Sequence, residues 1–188
     1  MWKNNLIINT ILETWFFFNV IFIQEPSWTI IHSIPSSRSV EDKELVEVPN
    51  HPNWLIFARN LSSDNNSLRV VTYISIKLLS FQFLLCKDLL NYRDISLVSF
   101  FNNSIIFFPM NVYSDSSQFA LKYLKNTEAN IHNVLIMTGD FNIRDSLWDS
   151  LYSYYSSYSN LLFKIADSFN LNISIPTNWV STRYSNNN

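Results

Sequence analysis

The apolar run Val134-Leu135-Ile136-Met137 stops at Thr138-Gly139-Asp140-Phe141-Asn142. A buried strand ending there delivers a carboxylate and a carboxamide to a sheet edge, two residues apart and therefore on one side. A second run, Phe107-Phe108-Pro109-Met110, delivers Asn111 and Tyr113 at the same spacing, and a third, Val20-Ile21-Phe22-Ile23, delivers Gln24 and Glu25. Carboxylate oxygens suit a hard cation, and amide N–H and phenol O–H groups suit an anion, so the three strand ends together describe a place for a charged ligand. A single Asp or Glu at a strand end is ordinarily a turn former or cap. The combination is the signal.

The elements that must position these residues follow from periodicity. Ile8, Ile11, Leu12 and Trp15 recur at helical spacing, and Asn19 to Gln24 reads as a short buried strand that Pro26 ends by forcing Glu25 out of helical geometry. Residues 27–53, rich in Ser, Pro and acidic side chains, read as a long surface loop. Trp54 to Arg59, Leu68 to Lys77, Ile95 to Phe101 and Ser104 to Met110 read as strands, with turns at 62–67 and at Asn102-Asn103. Phe119, Ala120, Tyr123 and Leu124 share a helix face, Asn133 to Thr138 forms a strand, and a second helix, capped by Asn160, carries Leu161, Leu162, Ile165, Ala166 and Phe169. Hairpin strands first, with helices inserted between later strands, give a mixed α/β domain with layered sheets.

Composition narrows the function. The chain has 188 residues, long enough for one domain, with 13 basic against 15 acidic side chains for a net charge of −2. No global positive field holds a nucleic-acid backbone, so such binding must be local or metal-assisted. The apolar stretch from Leu6 to Ile23 is interrupted by Asn9, Thr10, Glu13, Thr14 and Asn19, which argues against a membrane span. Cys86 is the lone cysteine, excluding a disulfide framework and a cysteine zinc site, and is compatible with a reducing compartment. Gly139 is the only glycine, where average usage is about 7%. Dinucleotide fingerprints, phosphate-cradling glycine loops and nucleophile elbows, which need two or more, are excluded. Asparagine takes glycine's place at turns, being the residue that best tolerates positive φ otherwise.

Taken in order, these residues resemble the endonuclease/exonuclease/phosphatase domain in the form carried by non-LTR retrotransposons and seen widely in fungal proteins. Ile21-Phe22-Ile23-Gln24-Glu25-Pro26-Ser27-Trp28 is similar to its Leu-Gln-Glu-Pro element, Met110-Asn111-Val112-Tyr113 to its Asn-Val-Tyr element, and Thr138-Gly139-Asp140-Phe141-Asn142 with Leu147-Trp148-Asp149 to its Gly-Asp-Phe-Asn and Trp-Asp signature. Pro176-Thr177 and Thr182-Arg183 resemble a later Pro-Thr and Thr-Arg segment. The resemblance runs from Ile21 to Tyr184 and implies a single partial domain over residues 1–188, truncated at both ends.

The resemblance implies a four-layer α/β sandwich, two stacked, mostly antiparallel sheets flanked by helices, and hydrolysis of a phosphate ester, usually a nucleic-acid diester, with Mg²⁺ or Mn²⁺. By it, Glu25 is the metal ligand, Asp140 orients or deprotonates the attacking water, Asn142 and Asn111 hold phosphate, and Tyr113 donates to the phosphoryl oxygen. DNA is the implied partner and no membrane is. The family pattern also includes an earlier strand with a metal-binding Asn, then an Ile-Asp strand and a Ser-Asp-His element, which have no counterpart in this sequence. His32, His51 and His132 match none of those positions and read as solvated surface residues, and Arg144 stands where the family often has His. Two outcomes are therefore expected from one ancestry: a metal-dependent endonuclease-like phosphodiesterase, or a partial, catalytically inactive domain with residual phosphate or nucleic-acid binding.

Overall fold

Alternation along the strands decides the layering. The structure, a computed structural model, describes residues 2–15, 17–26, 29–31, 45–58, 69–78, 80–103, 105–127, 131–147 and 153–174. Ser27, Trp28, His32, the turn at 62–67, Trp148, Asp149 and the Pro176-Thr177 and Thr182-Arg183 pairs lie outside them. After helix α1 (Trp2–Thr14) come strands β1 (Val20–Gln24), β2 (Thr29–Ile31), β3 (Leu45–Glu47), β4 (Trp54–Ala58), β5 (Val70–Ser75) and β6 (Gln82–Leu85). Then follow β7 (Ile95–Asn102), β8 (Ile105–Tyr113), α2 (Phe119–Thr127), β9 (Val134–Asp140) and α3 (Ser157–Ser168). One sheet has the order β1-β5-β4 and is antiparallel throughout; the other has the order β6-β7-β8-β9, with only the β8–β9 pair parallel.

On β5, Val71 and Tyr73 point to α1, packing with Ile8, Leu12, Ile21 and Trp54, while Ile74 points inward to Val98 and Phe100 of the opposite sheet. On β8, Met110 and Val112 face Leu121 and Leu124 of α2 and Ile165 of α3, and Phe107 faces inward. The four layers are thus α1, the three-stranded sheet, the four-stranded sheet and the α2–α3 pair, as the resemblance implies. The Trp54 indole N–H donates to Leu12 O at 2.9 Å, tying α1 to its sheet.

The inward layer changes character along its length. At one end it is aromatic: Phe100 stacks on Phe107 at 5.0 Å between centroids and meets Phe83 edge-on at 4.8 Å, pairs each worth about 0.5–1.5 kcal/mol beyond their buried area. Towards the other end it turns polar, with Thr72 Oγ1 donating to Ser96 Oγ at 3.3 Å and Gln24 and Asn111 beyond. That polar end is where β1, β8 and β9 finish.

Several elements differ from expectation. Within residues 27–53, β2 and β3 pair antiparallel, so part of the expected loop is a hairpin. β6 is an added strand on the edge of β7; Gln82 is followed by three apolar residues, with no alternation to reveal it. β8 extends through Asn111 and Tyr113 instead of stopping at Met110. Its Pro109 lacks an N–H in a central strand and sits at a register shift against β9. The α3 cap is Ser156, whose hydroxyl accepts from Tyr158 N, and Asn160 lies inside the helix. The turn reading for asparagine fits Asn103, Asn133 and Asn170, which all have positive φ. Among the described residues no helix is long and apolar enough to cross a membrane.

Candidate active site

Gly139 sets the geometry of the polar end. It pairs with Val112 in the parallel β8–β9 register, immediately before the Tyr113–Asp140 pair. A Cβ at position 139 would lie 1.7 Å from Val112 O, so the strands approach closely only because this residue has no side chain. The close approach continues past the strands, where Ser114 N donates to Asp140 O at 2.8 Å. Asp140, exposed, and Tyr113, buried to its ring, are thereby fixed side by side.

Asn142 reaches the site by a turn rather than by strand alternation. The Asp140 carboxylate accepts from Asn142 N at 3.0 Å, the backbone at Asn142 is left-handed with φ +49°, and its amide donates to Ser114 O at 3.0 Å. Beneath this turn the buried Gln118 amide donates to Phe141 O at 3.0 Å and Asn142 O at 3.4 Å, and accepts from Ser114 Oγ at 2.8 Å. Further on, buried Asp145 accepts from Leu147 N at 2.9 Å, Ser156 N at 2.6 Å and the Ser159 hydroxyl, pinning the loop to the start of α3. Burial alone would raise this carboxyl; the three hydrogen bonds together hold it below the usual carboxylate range.

Glu25 follows β1 in a left-handed conformation, φ +46°, with its N–H on Arg69 O at 2.7 Å. Its exposed carboxylate pairs with Arg69 Nη1 at 2.9 Å and lies close enough to the Tyr113 phenol to act on its titration. The Arg69 guanidinium also lies 4.9 Å from the centre of the Tyr113 ring, within cation–π range. The Tyr113 phenol is pushed up chiefly by burial, then by the nearby Glu25 carboxylate, with Asp140 adding and Arg69 opposing. It stays protonated, a donor. Behind it, Tyr113 N donates to Asp94 O at 2.8 Å. Asp94 is buried beside Arg93, and burial raises its carboxyl against the pull of Arg93 and Arg69.

Glu25, Tyr113, Asp140 and Asn142 lie at one end of the sheets, and the Asn111 side chain is placed apart from them. It is fully buried between the sheets, accepting from Gln24 Nε2 at 2.6 Å and donating to Ile23 O at 3.3 Å and Val71 O at 3.0 Å. Its amide is spent bracing β1 and β5 against β8. The donors fit a loosely held divalent ion: an exposed Glu25 oxygen with Asp140 nearby suits Mg²⁺, which keeps several waters. Among the described residues no group of three or more His, Cys, Asp or Glu forms a protein cage.

Two stacked sheets between helix layers are the arrangement the comparison rests on. The fold matches that of a retrotransposon endonuclease. One matching structure is the endonuclease domain of TRAS1, a telomere-specific non-LTR retrotransposon, at 13% identity and a TM-score of 0.56. The match covers 89% of this chain and 65% of the TRAS1 domain, so this chain spans less than two thirds of that domain. No family model matches the sequence, and comparison with curated proteins finds no match. Beyond the motif residues, the structure adds Arg69, Asp94, Ser114, Gln118 and Asp145 to the site and its support. Arg69 stood only as the start of a strand, and the others bond to residues up to 28 positions away, as Asn142 does to Ser114 O, so no local pattern announces them.

Proposed function

We propose that this chain is a metal-dependent phosphodiester hydrolase of endonuclease type, acting on DNA. The observation that carries the reading is the register of Tyr113 beside Asp140 at adjacent strand ends, with Arg69 joining the Tyr113 ring to Glu25, in a fold shared with the TRAS1 endonuclease domain. Glu25 would hold a divalent ion, Mg²⁺ or Mn²⁺, which would supply positive charge at the scissile phosphate and answer the acidic balance of the chain. Asp140 orients the attacking water and takes its proton. Tyr113 donates to the phosphoryl oxygen as charge builds, and Asn142 holds a phosphate oxygen. Asn111 acts as a brace that fixes where β1 presents Glu25.

A second reading, an inactive domain that retains phosphate or nucleic-acid binding, draws on the histidines. His132 lies beyond the far end of β9, at least about 20 Å along the strand from Asp140, and His51 precedes β4. Among the described residues no imidazole reaches the site to serve as general acid, a role worth about 10²- to 10⁴-fold in rate. Plasmid nicking with Mg²⁺ or Mn²⁺ separates the two readings. Nicking by the wild-type chain that Asp140→Ala abolishes supports the enzyme. Equal background rates in both, with retention of DNA on a filter, select the binding reading.

A further inference from the structure

Arg69 is absorbed by none of the roles above, yet it touches two of the site's key groups. Its Nη1 engages a single Glu25 oxygen at 2.9 Å, its guanidinium covers the Tyr113 ring, and its charge acts on Asp94 and Asp115. The pair is monodentate and open to solvent on the Glu25 side, a weak and exchangeable contact. The Arg69 Nε is buried and has no hydrogen-bond partner, so the guanidinium's donor fork is only partly used. A planar fork of this kind matches the oxygens of a phosphodiester better than it matches one carboxylate oxygen.

Building on the proposed function, we propose that Arg69 couples the two ligands of the site: it is the counter-ion of Glu25 in the free protein and the phosphodiester ligand in the loaded one. A cation on Glu25 and the guanidinium compete for the same carboxylate. An anion that draws Arg69 away frees Glu25 for the cation, and a cation that takes Glu25 frees Arg69 for the anion. Each ligand therefore tightens the other by the same factor, as linkage requires. The buried stem of Arg69 and its seat over Tyr113 keep the released guanidinium beside the phenol that meets the phosphoryl oxygen.

The test is direct Mn²⁺ titration, followed by the electron paramagnetic resonance of free Mn²⁺, with and without diethyl phosphate, an inert diester monoanion. In the wild type, saturating diethyl phosphate should tighten Mn²⁺ binding by about fivefold or more. Arg69→Gln should bind Mn²⁺ about fivefold more tightly than wild type without the diester, and the diester effect should shrink to what the ion itself exerts on the phosphate. Arg69→Lys, which keeps the charge and loses the fork, should bind Mn²⁺ as weakly as wild type with a smaller diester effect. A purely structural Arg69 would lead Arg69→Gln to bind Mn²⁺ equally or less well, which overturns the coupling. If Arg69→Gln loses its circular dichroism, Arg69→Lys decides, and an undiminished diester effect there overturns it. Mn²⁺ uptake that Glu25→Gln removes, without any Arg69 effect, sinks the coupling alone. No uptake by wild type sinks the metal-dependent reading with it.

Discussion

Replacing Gly139 with alanine tests whether the site depends on the close approach of β8 and β9. The added Cβ would sit 1.7 Å from Val112 O, 2.7 Å from its carbonyl carbon and 3.1 Å from its nitrogen. Ordinary contacts begin near 3.5 Å, so the strands must part by nearly 2 Å where adjacent strands lie about 4.8 Å apart. Overpacking costs about 1–3 kcal/mol, and loosening the adjoining hydrogen bonds, Ser114 N to Asp140 O among them, adds about 1 kcal/mol. The sum, about 2–4 kcal/mol, corresponds for a chain of this size to a Tm lower by about 4–16 °C. Asn102→Val is the control: Asn102 ends β7 half-buried, where a β-branched residue is accommodated. Thermal unfolding by circular dichroism compares them. Gly139→Ala melting within about 1 °C of wild type, or no lower than Asn102→Val, would refute the argument that this glycine sets the spacing of Asp140 from Tyr113.

Three further outcomes follow from named contacts. Asn111→Ala strands Gln24 Nε2 and the carbonyls of Ile23 and Val71 between the sheets; at about 1–3 kcal/mol per unsatisfied buried group, partly relieved by relaxation, urea unfolding should show a loss of about 2–4 kcal/mol. Asp145→Asn should cost stability at neutral pH. Because the folded carboxyl of Asp145 titrates below its unfolded value, its contribution is complete above the unfolded value near pH 4 and is lost as pH falls through the lower folded value. The wild-type advantage in urea should accordingly be flat from pH 7 to 5 and shrink below about pH 4; a gap independent of pH would contradict the hydrogen-bond account. Tyr113→Phe keeps the ring under Arg69, so it should leave Tm within about 2 °C while cutting nicking about 10²-fold; an unchanged rate would remove Tyr113 from the chemistry.

How much was legible depends on whether the information is local. β1, β7 and β9 and the residues at their ends stand out because apolar runs stop at polar residues with turn chemistry. β6 escapes notice because Gln82 to Leu85 shows no alternation, and β2–β3 because two strands of three residues each hide in a serine-rich, acidic stretch. Asn111 shows a different limit. Both faces of β8 are covered, one by helices and one by a sheet, so strand position reveals that Asn111 faces inward without distinguishing a ligand from a brace. Ser114, Gln118 and Asp145 act across 2 to 28 positions through hydrogen bonds with no sequence period.

Backbone strain adds an argument of its own about where function lies. Six non-glycine residues among those described have positive φ, and four are asparagine, which adopts that conformation at low cost. The other two, Glu25 at +46° and Gln118 at +58°, lack that tolerance, and a left-handed residue of this kind costs about 1–2 kcal/mol. Both belong to the site: Glu25 is the carboxylate under Arg69, and Gln118 carries the Asp140–Asn142 turn. Each is held by specific bonds, Glu25 N to Arg69 O at 2.7 Å and Ser114 Oγ to Gln118 Oε1 at 2.8 Å. Where asparagine takes the other left-handed positions among the described residues, two residues that fit the conformation poorly stand where a carboxylate must be aimed and a turn supported. Strain concentrated in this way runs from observation to function: Glu25→Asn should relax the backbone and raise Tm while losing Mn²⁺ uptake, and a variant that neither gained stability nor lost uptake would break the link between the two.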